Sequence, residues 1–180
     1  MKRFRMTFRH KVEPQAPEAT CDDTAHDGSE PVGLLESLAP VERHVVACLR
    51  LWFDGPDYHE TTTGMLAMHY GTTPANRLMA VFESFIAAMA LSVDRQICRH
   101  APCCPCLGRD EAVLMTIVRH AALGDRFSAS VHASAMIKNH RLPAVIEAAS
   151  QLGAEMISVS QGHAPQQDHP EPTHFTRAVH

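Results

Sequence analysis

The 180-residue sequence lacks an apolar run that approaches the roughly 20 residues of a membrane-spanning helix. The apolar core of about 7–15 residues that marks a secretory signal is also missing near its start. No Gly-rich phosphate loop, G-x-S-x-G elbow, Rossmann fingerprint or H-E-x-x-H motif occurs. We therefore expect a cytoplasmic protein that does not bind a membrane, and no motif of the common enzyme classes identifies it as an enzyme.

A strong excess of one charge is absent as well. The net charge of −4 argues against a dedicated nucleic-acid-binding protein, for which a basic surface is needed. Charge is unevenly distributed only near the start, where residues 1–11 carry five basic side chains and residues 12–30 carry six acidic ones. The partner classes that these observations leave open are another protein and a second copy of the chain.

Both ends of the chain lack a sustained apolar period. Residues 1–32 are rich in charge, Pro, Thr and Asp, and residues 161–180 are rich in His and Pro. Such segments cannot bury enough apolar surface to offset the entropy of ordering them. The sequence therefore predicts a disordered arm, a folded domain over residues 33–160 and a disordered tail.

Within residues 33–160 the apolar residues recur at helical spacing. Positions 41, 45, 48, 49 and 52 share one face of the first helix, at a period of 3.6 residues. A long helix from Pro74 to about Ile97 has apolar residues around most of its circumference, which predicts a central position. We expect an all-α fold, a single helical bundle of about five to six helices.

The sequence predicts where the last two helices begin or end and which of their faces are apolar. Asp125 is predicted to cap a helix that has Phe127 and Val131 on one apolar face. Gly153 is predicted to end the final helix, because glycine commonly follows the last helical turn. Residues 154–160 fit either a final turn or an edge strand.

Four of the six cysteines lie within nine residues, in the stretch ICRHAPCCPCLGRDE. They are Cys98, Cys103, Cys104 and Cys106, and His100 lies among them. The helical pattern places this stretch in the loop between the third and fourth helices. Clustered cysteines in a reducing compartment more often bind metal or do redox chemistry than form structural disulfides.

A metal site, zinc above all, is the leading hypothesis for this loop. Cys103 and Cys106 form a C-x₂-C pair, whose spacing lets two thiolates reach one tetrahedral ion. Cys98 would add a third sulfur, and His100 or Cys104 would be the fourth ligand. The ion would have a structural or regulatory role, and the charge around it would be balanced or supported by Arg95, Arg99, Arg109 and Asp110.

Three other hypotheses use the same residues. A redox-sensing thiol pair would use Cys103, Cys104 and Cys106, since the helix that follows lowers thiol pKa values at its N-terminus. An iron–sulfur cluster matches the Cys98-x₄-Cys103-x₂-Cys106 spacing, but no cysteine follows residue 106. An enzyme with an open metal site at His100 and Asp110 is the least favoured. Cys48 lies on an apolar helical stripe and is predicted to be a core residue.

Overall fold

The computed structural model describes residues 30–52 and 58–162, and these residues form an all-α bundle, as predicted. The α-helices of this part of the chain are α1 (Pro40–Leu51), α2 (Tyr58–Tyr70), α3 (Thr72–Ala90), α4 (Arg109–Ala122), α5 (Arg126–Ala133) and α6 (Leu142–Gly162). Two short strands, β1 (Pro31–Leu34) and β2 (Cys106–Gly108), form a small antiparallel sheet. None of these helices is long and apolar enough to cross a membrane.

The core lies where α6 packs against both α3 and α4. Helix α2 covers the other side of α3, and α5 packs mainly on α4. The sequence predicts α3 as the central helix. In the structure the central position belongs to α6, which packs between α3 and α4. These three helices supply fully buried core side chains, among them Leu78, Phe82, Ile117, Ile146 and Leu152.

The last helix is longer than predicted, because Gly153 does not end it. Gly153 lies inside α6 and is buried against α4. A Cβ atom placed on Gly153 would lie 2.4 Å from the Cβ of Ala122 and 2.9 Å from the carbonyl oxygen of Val118. The glycine therefore serves close helix packing rather than helix termination, and residues 154–160 continue the helix.

Helix α5 begins as predicted but faces the other way. Asp125 is its N-cap, and its carboxylate accepts a hydrogen bond from the backbone N–H of Ser128. Ala129 and Ala133 are the buried residues of α5, while Phe127 and Val131 are exposed. The two small side chains let α5 approach α4 closely, so the larger apolar residues remain on the outer face.

Helix α3 ends at Ala90, seven residues before the predicted end at Ile97. The chain leaves the helix because its next residues hydrogen-bond to the segment after α5: Asp94 N–H donates to the carbonyl of Met136, and Lys138 N–H donates to that of Ser92. The connection from residue 91 to residue 105 therefore has no helix of its own, and it carries most of the cysteine cluster.

The small sheet attaches the start of the described chain to this connection. Pro31 is paired with Gly108, and Leu34 is paired with Cys106. Residues 31–32, predicted as part of the arm, therefore belong to β1, and residues 161–162, predicted as part of the tail, belong to α6. Of the rest of the predicted arm and tail, Glu30 precedes β1, and residues 1–29 and 163–180 lie outside the described residues.

Candidate functional site

A buried arginine on α1 organises the cysteine-rich connection. Arg50 is fully buried, and its guanidinium forms a two-pronged ion pair with the carboxylate of Glu111 on α4. Nε donates to Oε1 and Nη2 donates to Oε2, each at 2.7 Å. Paired donors and acceptors in this fork geometry form the strongest class of charge-assisted hydrogen bond.

The remaining N–H groups of Arg50 hold the backbone of the connection. Nη1 donates to the carbonyl oxygens of Ala101, at 3.2 Å, and Cys104, at 2.7 Å. Nη2 donates to that of Cys106 at 2.6 Å. With the two bonds to Glu111, every N–H of the guanidinium has an acceptor. One side chain therefore fixes the course of residues 101–106.

Two buried carboxylates at the start of α4 fix the rest of the connection. Glu111 accepts from the backbone N–H of Gly108 at 3.0 Å and from that of His100 at 3.1 Å. Asp110 accepts from Nη1 and Nη2 of Arg95 at 2.7 and 2.6 Å, and from the N–H of Cys98 at 2.8 Å. Glu111 thus caps its own helix, as expected of an acid in the first turn, and both acids also anchor the cysteine segment.

The thiols of this segment lie in different environments. Cys104 is buried, and its Sγ lies 3.6 Å from Nδ1 of His100. Cys103 is exposed, whereas Cys98 and Cys106 are half-buried. Within residues 30–52 and 58–162, no three or more His, Cys, Asp or Glu side chains are arranged to hold a metal ion. The structure thus brings one cysteine–histidine pair together out of the predicted set.

The surroundings of the half-buried Cys98 do not activate its thiol. Burial raises the pKa of the Cys98 thiol, and the neighbouring Asp110 carboxylate raises it further, while Arg95 opposes them. Cys48 lies in the core as predicted, and burial raises the pKa of its thiol to about 12. A high thiol pKa keeps the sulfur protonated and poorly nucleophilic at neutral pH.

The arginines expected around the site interact with different groups. Arg95 pairs with Asp110, and Arg109 pairs with Glu30, which adjoins β1. Arg99 is half-buried in the connection itself. The positive charge that contacts the cysteine backbone most directly comes instead from Arg50, which the sequence analysis did not single out.

The His100 ring is packed closely against the end of the connection. A Cβ atom on Gly108 would lie 2.8 Å from Cδ2 of the His100 ring, so only glycine leaves the ring its place. Gly108 is also the N-cap of α4. The position of the His100 ring is therefore fixed relative to the N-terminus of α4.

The helical pattern of the sequence does not single out Arg50, because this residue lies on the opposite side of the helix from the apolar stripe at positions 41, 45, 48, 49 and 52. Its burial is known only from the structure. A buried arginine requires a carboxylate partner, and the adjacent acids at the start of α4 are candidates for it.

No protein-family model, curated protein or solved structure matches the chain.

Proposed function

We propose that the connection over residues 98–106 binds one metal ion, most favourably zinc, with the Cys104 thiolate and His100 Nδ1 as two of its ligands. The ion would have a structural or regulatory role in a cytoplasmic protein, where thiols stay reduced. The observation that carries the proposal is the distance of 3.6 Å between Cys104 Sγ and His100 Nδ1.

This distance is that of a hydrogen bond between a thiol and an imidazole, and it also fits two ligands of one tetrahedral zinc ion. Zinc lies about 2.3 Å from sulfur and about 2.0–2.1 Å from imidazole nitrogen, so two such ligands at the tetrahedral angle are about 3.5 Å apart. The two side chains would therefore need almost no movement to bind the same ion. Because His100 and Gly108 are in close contact, the ring also has little freedom to turn away.

The other ligands would come from the three remaining thiols of the segment. Cys103 and Cys106 supply the C-x₂-C pair, and Cys98 comes before His100 in the sequence. Their side chains would turn toward the ion while Arg50 keeps its bonds to the backbone carbonyls. Zinc with three thiolates and one neutral imidazole carries a net charge of −1, which the guanidinium of Arg99 would offset.

A redox-sensing thiol is the second candidate function, and the exposure of Cys103 favours it. Hydrogen peroxide would oxidise the Cys103 thiol to a sulfenic acid with release of water. The Cys104 or Cys106 thiol would then attack that sulfur, expelling a second water and leaving a disulfide. An iron–sulfur cluster is a further proposal for the same sulfurs, with a histidine in place of the missing fourth cysteine.

Metal analysis with an absorption spectrum tests these proposals on protein purified without oxygen. We expect about one equivalent of zinc and no visible colour, and visible bands of iron and sulfide would identify a cluster instead. Cys104→Ser and His100→Ala should each lower the zinc content sharply, while Cys21→Ser should not. Protein that contains no metal, and takes up none when zinc is added to the reduced form, would remove the metal proposal in favour of the redox one.

A further inference from the structure

A stripe of exposed apolar side chains runs from the end of α4 along α5. Leu123 is 74% exposed, Phe127 is 80% exposed and Val131 is 54% exposed. They are spaced by four residues, which places Phe127 and Val131 above one another on the helix surface. Large apolar residues scattered singly are ordinary on protein surfaces, but the adjacent Phe127 and Val131, with Leu123 just before the turn into α5, form a patch of the kind that marks interaction sites.

An apolar groove meets this stripe at Leu123. It is formed between the start of α1, the end of α4 and the second half of α6, and its volume is about 520 Å³. Leu123 belongs both to the stripe and to the groove wall. The groove is otherwise lined mainly by apolar side chains, among them Val41, Val118, Ala122, Met156 and Ile157.

We infer that this surface, the stripe and groove together, is the interface of a symmetric homodimer. In such a dimer, a twofold axis near Leu123 would bring the Phe127 ring of each copy toward the groove of the other, because Leu123 belongs both to the stripe and to the groove wall. Closed twofold interfaces of this type require one patch that is self-complementary.

The apolar area agrees with what a stable dimer needs. Phe127 exposes about 160 Å² if an aromatic side chain offers about 200 Å². Leu123, Val131 and Ile157, at about 100 Å² for each full side chain, bring the total to roughly 300–400 Å². A standard interface buries about 800 Å² per partner, of which about 60% is apolar. The four side chains supply most of that apolar part, before the groove walls are counted.

The charges around the surface are paired within each copy. Arg119 donates to Glu42 at 2.7 Å beside the groove, and Arg126 donates to Glu147 at 3.3 Å beside the stripe. A second copy would therefore cover a polar rim of balanced sign and would not bury an unpaired charge, which is the costly case. Nucleic acid, by contrast, would require a surplus of basic side chains here.

Sedimentation equilibrium of the full chain over low to high micromolar concentration tests the inference. The expected result is a dimer that Phe127→Asp, on the stripe, and Ile157→Asp, in the groove, each weaken by at least a hundredfold in dissociation constant. Met68→Asp is the matched control, because Met68 is 83% exposed on α2, outside the stripe and the groove. Circular dichroism melting of each variant verifies that the helices are retained.

Two results would overturn the inference. One is a full chain that stays monomeric over the whole concentration range; if removal of residues 163–180 then produced the dimer, the tail would be the occupant of the groove. The other is a dimer that Phe127→Asp and Ile157→Asp leave unchanged, which would place the interface elsewhere. If Phe127→Asp melts without cooperativity, Val131→Asp tests the same stripe.

Discussion

Replacement of Arg50 by methionine is the perturbation that most directly tests how the cysteine connection is held. Methionine has a similar length and leaves Glu111 buried without its partner, and it also leaves three backbone carbonyls without their donor. Loss of one member of a buried ion pair costs about 3–5 kcal/mol, because the remaining charge is uncompensated. We expect Arg50→Met to lower the free energy of unfolding by at least that amount, measured by urea denaturation.

The double variant Arg50→Met/Glu111→Gln separates the burial of a lone charge from the value of the pair itself. Removal of both charges avoids the uncompensated carboxylate, so the double variant should be more stable than Arg50→Met alone. Arg119→Met is the matched control, since its pair with Glu42 is largely exposed at the arginine and is expected to contribute about 0–1 kcal/mol. A cost below about 1 kcal/mol for Arg50→Met would refute the role assigned to Arg50.

Three further predictions concern other parts of the chain. Gly153→Ala should lower the free energy of unfolding by about 1–3 kcal/mol through overpacking. Gly64→Ala is the control, because a Cβ there meets open space, and it should raise stability by up to about 1 kcal/mol. Equal effects of the two substitutions in thermal melts would contradict the packing at Gly153. Burial, then His69 and Arg43, lower the pKa of His44 from 6.5 to about 4. Its contribution to stability is therefore complete above pH 6.5 and is lost as the pH falls toward 4, and His44→Gln should flatten that part of the stability profile. Removal of zinc by a chelator should lower the free energy of unfolding by a few kcal/mol, about 2.7 for an ion present at 100 times its dissociation constant. It should also speed hydrogen exchange over residues 97–110. Complete loss of helix would mean a metal-dependent fold, and no change in stability or exchange would count against zinc binding.

The helices could be predicted from the sequence because burial against a core imposes a 3.6-residue period on the chain. The end of α3 could not, because the bonds of Asp94 and Lys138 to segments far along the chain compete with the helix there. Gly153 carries the same ambiguity, since a glycine that ends a helix and one that admits a neighbouring helix look identical in sequence. The apolar side chains of α5 likewise satisfy a helical period on either face.

The candidate site was located by cysteine density, but its architecture depends on long-range pairs. Arg50 and Glu111 are 61 residues apart, and nothing local to either residue specifies the other. The proximity of Cys104 to His100 is equally hidden, because the course of the connection between them is set by the Arg50 bonds to its carbonyls. Residue spacing thus indicates which side chains are available as ligands, and the buried ion pair decides which of them meet.

X-ray absorption spectroscopy at the zinc edge tests the central claim, that residues 98–106 bind zinc through Cys104 and His100, most directly. On the zinc-loaded full chain we expect sulfur ligands at about 2.3 Å and one imidazole nitrogen at about 2.0 Å. The imidazole signal should disappear in His100→Ala, and one sulfur should be lost in Cys104→Ser. A spectrum of oxygen and nitrogen ligands alone, or one that both variants leave unchanged, would contradict the claim.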